Sequence, residues 1–159
     1  LNFDNPLVKD EFKEIIKFWL EMGVDGFRLD AIKYIYFEEH ERNIEFWGWF
    51  TDTAKSYNEN VYLVGEAWDR ESVMIPYYEN FNNFDFSFSQ AEGFISRAAK
   101  TSTSVGEYTQ SVSNYLDRVY SINSNAIMSP FIANHDMDRA AGYLPRANGS
   151  IFMAPSLYI

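Results

Sequence analysis

The sequence runs to 159 residues, the size of one ordinary domain, and is 47% hydrophobic, enough for a packed core and too much for disorder. Lys and Arg number 13 against 23 Asp and Glu, so the net charge is −10, which disfavours nucleic acid and anionic membrane surfaces as partners. There is no cysteine, which excludes disulfides, thiolate chemistry and Cys-ligated zinc and fits a cytosolic protein or a bacterial secreted one.

The opening "LNFDNPLVKDEF" has no basic region followed by an apolar core, so it does not read as a signal peptide. The first residue is not Met and "SIFMAPSLYI" stops in mid-pattern, so the chain reads as a piece of a longer one. No run approaches the ~18 apolar residues of a membrane span.

"NPLVKDEFKEIIKFWLEMG" predicts a helix, with Asn5 as N-cap, Pro6 at the first position and Gly23 as the stop. Val8, Phe12, Ile15, Ile16 and Trp19 fall on one face of it. "VDGFRLD" follows as a strand. A second helix is expected from about Glu41 to Tyr57, where Phe46, Trp47, Trp49 and Phe50 read as core. "VYLVGEA" (Val61 to Ala67) is an unbroken apolar run of the kind a parallel sheet buries on both faces. "NFDFSFS" (Asn83 to Ser89) alternates as a third strand. Helices are expected near Gln90–Thr101 and Gly106–Tyr120, then a fourth strand in "AIMSPFIANHD", and a last helix from about Ser150.

This alternation implies right-handed βαβ units and a parallel sheet, in either an open doubly wound sheet or a (β/α)8 barrel. No Gly-rich phosphate loop follows a strand, which weakens the first. Asp30, Glu66 and Asp136 stand 36 and then 70 residues apart, about one and two βαβ repeats. Three strands thus end in carboxylates on one edge of the sheet, where barrel enzymes carry their catalytic groups.

Arg28 and Asp30 alternate along one strand, so they face the same way. A structural ion pair is the plain reading. The alternative is an Asp held ionised by its neighbour and able to act as a nucleophile. Glu66 has no cation beside it in sequence and sits at the end of an apolar run, a setting that suits a general acid. One ionised and one protonated carboxyl is the pairing of glycoside hydrolysis. His135 alone reads as a cap or a core-edge residue; beside Asp136 it reads as part of the same site.

"GFRLDAIK", "GEAW" and "FIANHD" resemble, in order and spacing, three short signature regions of the alpha-amylase family (glycoside hydrolase family thirteen), and "LNFDNP" resembles the segment ahead of that family's fourth barrel strand. The resemblance covers essentially the whole chain. It implies one partial (β/α)8 catalytic barrel spanning residues 1–159, approximately strands four to seven, with the remaining strands outside this sequence.

The resemblance further implies a retaining glycosidase acting on α-glucans. Asp30 would be the nucleophile, Glu66 the acid and then base, and Asp136 the stabiliser of the oxocarbenium-like transition state. Arg28, in the substrate-binding set, would hold Asp30 ionised, His135 would bind the same sugar, Lys33 would reach the leaving-group side, and Trp68 would stack on a sugar ring. Tyr34 stands where many amylases carry a His, at the leaving-group subsites. Calcium is the one cofactor the resemblance brings into view, and the partners are an α-glucan and the rest of the barrel. Transglycosylation, an α-1,4- or α-1,6-glucosidase, and a non-catalytic barrel serving as a binding module are the alternatives. The piece alone is expected to be inactive and to associate through its open sheet edges.

Overall fold

The computed structural model describes residues 1–100 and 103–140. Four parallel strands form one sheet in the order β1-β2-β3-β4: β1 Gly26–Leu29, β2 Tyr62–Gly65, β3 Asn82–Asp85 and β4 Ser129–Pro130. Around them lie α1 Pro6–Glu21, α2 His40–Tyr57, α3 Glu71–Met74, α4 Phe94–Ala99 and α5 Val105–Ile122. Sequential parallel strands, each reached through a helical crossover, make a section of a (β/α)8 barrel. Strands β1 and β4 form the two edges of this sheet.

The local signals behave as their chemistry dictates. The Asn5 side chain accepts from the Leu7 N–H at 3.0 Å, Pro6 opens α1, and Gly23 follows it at φ +94°, a conformation that favours glycine. Helix α5 begins with a capping box between Ser104 and Glu107. Ile16, Leu29, Ile32, Phe46, Trp47, Phe50, Leu63, Phe81 and Tyr115 belong to one continuous core between helices and sheet. Phe46, Trp47 and Phe50 are buried as expected, and Trp49 packs against them half-buried.

Three expectations need correction. The third strand stops at Asp85, and Phe86–Phe88 turn into a 3₁₀ helix although the apolar alternation continues through them. The fourth is only Ser129–Pro130: Pro130 has no N–H for a ladder, and Asn134 folds the chain by accepting the Asp136 N–H at 3.0 Å. Helix α3 and the 3₁₀ helix Ile75–Glu79 were not anticipated; Pro76 divides a segment too short for a periodic pattern. The helix expected from about Ser150 lies outside the described residues.

At the ends of β1 and β2 the hydrogen bonding runs on past the strands. The Glu66 N–H donates to the Leu29 carbonyl at 2.9 Å, and the Ile32 N–H donates to the Glu66 carbonyl at 3.2 Å. The two chain segments are thereby locked together where the charged side chains emerge. Gly65 is required here: a Cβ would lie 2.6 Å from the Phe81 ring and 2.8 Å from Ile32 Cδ1.

Candidate active site

Strand β1 ends in Leu29, which is buried against the helices, so its neighbours Arg28 and Asp30 turn to the opposite side of the sheet. There the Arg28 guanidinium holds two carboxylates at once. Its Nη1 is hydrogen-bonded to Asp30 Oδ1, and its Nη2 lies 2.7 Å from Glu66 Oε1. Burial works against the Arg28 charge, but the hydrogen bonds and charges of Asp30 and Glu66 outweigh it and raise its pKa. The sequence puts no cation near Glu66. The fold supplies one from the adjacent strand, because register pairs Leu29 with Gly65.

Asp30 is followed by Ala31 at φ +46° and ψ +46°, a left-handed conformation that is uncommon for a residue with a Cβ. Strain of this kind persists where the surroundings impose it, and it turns the chain sharply after Asp30. The following turn is held from α2. The buried Asn43 amide donates to the carbonyls of Lys33 at 2.8 Å and Tyr36 at 2.9 Å, and its Oδ1 accepts the Tyr36 N–H at 2.7 Å. The Trp47 indole donates to the Ile32 carbonyl at 2.7 Å.

Glu66 is 9% exposed and stands between two openings. On one flank is a cavity of about 330 Å³ lined by Arg28, Glu66, Phe84, Phe131, Ala133, Asn134 and His135. On the other, a smaller opening is lined by Ala31, Lys33, Tyr34, Glu66 and Trp68. Arg28, Asp30 and Glu66 are therefore brought together, and His135 shares a cavity with two of them. Asp136 is placed one step further out: its carboxylate is 3.1 Å from His135 Nε2, and both side chains are exposed.

Lys33, Tyr34 and Trp68 gather on the second flank. The Lys33 ammonium donates to the Trp68 carbonyl at 2.8 Å and to Asp69 Oδ2 at 2.6 Å. Burial opposes the Lys33 charge, and the bond and charge of Asp69 outweigh it and raise the Lys33 pKa. The same bond holds the Asp69 carboxyl below the ordinary range. Sequence reasoning missed Asp69, a loop acid two residues past "GEA" that only the fold sets beside Lys33. Trp68 stacks on Phe86 with centroids 5.2 Å apart and planes at 17°, yet remains 40% exposed.

Among the described residues no three His, Cys, Asp or Glu side chains gather to hold a metal ion. No described helix is long and apolar enough to cross a membrane.

The chain is a section of a (β/α)8 barrel with an Arg-bridged pair of carboxylates at the carboxyl ends of neighbouring strands, the edge where barrel enzymes carry their active sites. The family model for the alpha amylase catalytic domain matches residues 1–153, and the chain belongs to the alpha-amylase family. It is 38% identical over its whole length to "Alpha-amylase 3" of Dictyoglomus thermophilum, of which it covers 31%. It is 30% identical over 90% of its length to the 4-alpha-glucanotransferase of Thermotoga maritima, of which it covers 29%. The solved structure "Eubacterium rectale Amy13B" superposes with a TM-score of 0.89 at 29% identity, over 97% of this chain and 31% of that one. The chain thus spans about a third of the length of these relatives.

Proposed function

We propose that this chain forms the catalytic half-barrel of a retaining enzyme that cleaves or transfers α-linked glucosyl units. The observation that carries the reading is the Arg28 fork shared by Asp30 and Glu66. A retaining glycosidase needs its nucleophile and its acid about 5–5.5 Å apart, closer than the ~6.5–9.5 Å of an inverting one, and one guanidinium gripping both keeps them close.

Asp30 attacks the anomeric carbon and Glu66 gives its proton to the departing oxygen. The C–O bond to the leaving chain breaks as the Asp30–C1 ester forms. Glu66, now a carboxylate, takes a proton from water or from a sugar hydroxyl, whose oxygen displaces Asp30 with the original configuration restored. Glu66 must carry a proton when the leaving oxygen arrives, so its bond to Arg28 gives way to one with substrate. Asp136 and His135 bind hydroxyls of the reacting sugar. The glucanotransferase among the relatives supports an acceptor other than water as a second outcome of the same chemistry.

The test is proton NMR of maltoheptaose cleavage by the full-length enzyme. The first product is expected as the α-anomer. A β-anomer at early times, or no cleavage of any α-glucan by folded enzyme, refutes the reading.

A further inference from the structure

In a regular parallel ladder a residue makes two bonds around its partner: its N–H donates to the carbonyl just before that partner, and its carbonyl accepts the N–H just after it. Register pairs Leu29 with Gly65, so the next pair is Asp30 with Glu66. The first bond is regular, from the Glu66 N–H to the Leu29 carbonyl at 2.9 Å. The second skips a residue. The Glu66 carbonyl accepts the N–H of Ile32 at 3.2 Å in place of that of Ala31, so Asp30 and Ala31 together stand opposite one residue. This is a β-bulge, and its extra residue is Ala31, at φ +46°.

The bulge is imposed from the far side of the sheet. The Ile32 side chain is fully buried, and its carbonyl accepts the Trp47 indole N–H at 2.7 Å. Trp47 is itself buried, set edge-to-face against Phe46, Phe50 and Phe81, so its N–H has a fixed place. An alanine left to its own preference takes an extended or right-handed conformation, and the ladder would then run on through the Ala31 N–H. Pinning Ile32 at both its N–H and its carbonyl prevents that. Bulges beside active sites re-aim a side chain, and here the first residue of the bulge is Asp30.

We propose that Trp47 is a positioning residue: its bond to the Ile32 carbonyl holds the bulge, and the bulge fixes where the Asp30 carboxylate stands relative to Glu66. This rests on the glycosidase reading, in which Asp30 attacks and Glu66 protonates. Arg28 ties the two acids through their side chains, and the bulge ties them through both main-chain groups of Glu66. Trp47 lines neither opening beside Glu66 and acts only through the main chain that follows Asp30.

The experiment measures kcat and KM of the full-length enzyme on maltoheptaose and on α-maltosyl fluoride, at a temperature where circular dichroism shows each variant folded. Trp47→Phe keeps a buried ring and removes the indole N–H. Its kcat is expected to fall about tenfold on both substrates, since both react through the Asp30 ester, with KM little changed. Adding Ala31→Gly, which removes the Cβ cost of the left-handed conformation, is expected to bring kcat back to within about threefold of wild type. Benzothienylalanine in place of Trp47 fills the same space without an N–H, and gives the same comparison if Trp47→Phe does not fold. An indole that only supported the core would lower stability without this rescue of kcat. An unchanged kcat in the folded variants, or a loss that Ala31→Gly leaves in place, overturns this inference alone. If wild-type enzyme turns over neither substrate, the glycosidase reading falls and this inference with it.

Discussion

Two aspartates at the ends of strands of the same sheet, β1 and β3, are housed in opposite ways. Asp30 ends β1 on the open side, largely exposed, with a guanidinium for partner and a second carboxylate sharing it. Asp85 ends β3 on the helix side, where no water reaches it. Its Oδ1 accepts from the hydroxyls of Tyr78 at 2.5 Å and Tyr115 at 2.6 Å, and its Oδ2 accepts the Ser129 N–H at 2.5 Å. These donors come from the 3₁₀ helix after α3, from α5 and from β4, so one carboxylate ties three elements to β3. Burial raises the Asp85 pKa, and its three donors offset part of that rise. An acid surrounded by neutral donors and closed to solvent holds the fold. An acid paired with a cation and open to solvent is free to meet a substrate.

The sharpest way to break this comparison is Asp30→Asn in the full-length enzyme. Turnover of α-glucans is expected to fall by at least about 10³-fold with little change in KM, because the lost group acts in the chemical step. Urea unfolding should be nearly unaffected, since the exposed side chain supports little packing. A large stability loss with kinetics to match would make Asp30 structural after all.

Asp85→Asn should do the reverse. The amide presents N–H toward the Ser129 N–H, leaving a buried donor unpaired, and stability is expected to fall by about 1–3 kcal/mol by urea denaturation. The pH dependence has a definite sign. A carboxyl whose folded pKa is raised contributes fully below the ordinary aspartate value of about 3.9, and loses that contribution as pH climbs through the raised value. The gap between wild type and Asp85→Asn should therefore narrow from about pH 4 toward neutrality. A gap that widens with rising pH contradicts the buried neutral-donor account.

Lys33→Met probes the tie between the turn after β1 and the Trp68–Asp69 loop, with the opposite sign. Asp69 is held below its ordinary pKa, so the pair's contribution is present above about pH 3.9 and is lost on acidification. Stability at neutral pH should fall by about 1 kcal/mol, with the difference shrinking in acid. KM for maltooligosaccharides should rise as the Trp68 loop loosens. Trp68→Ala is expected to have an effect of similar size, about 0.5–1.5 kcal/mol for the lost stack on Phe86, read as a shift in urea midpoint.

The two aspartates also show what could be read in advance. Asp30 was legible because an apolar run that ends in charge is conspicuous, and the family's signature stretches reinforced it. Asp85 was hidden inside "NFDFSFS", where alternation makes it an ordinary strand residue and nothing local marks which face is closed. Its partners Tyr78, Tyr115 and Ser129 are remote in sequence except the first. Arg28 with Glu66 and Lys33 with Asp69 were illegible for the same reason: each pairing depends on the register of β1 against β2 and on where the loops after them turn. The strand ends were misplaced where period-two patterning outlasted the strand at Phe86, and where Pro130 and Asn134 stopped the ladder early.

Mass spectrometry of a trapped intermediate tests the central claim most directly. Full-length enzyme carrying Glu66→Gln, which keeps the nucleophile but cannot activate water, is reacted with α-maltosyl fluoride, whose leaving group needs no proton, then quenched in acid and digested. The account predicts a maltosyl adduct on the peptide containing Asp30, absent when Asp30→Asn is added. An adduct on any other residue, or none while the same variant still releases fluoride, would contradict it.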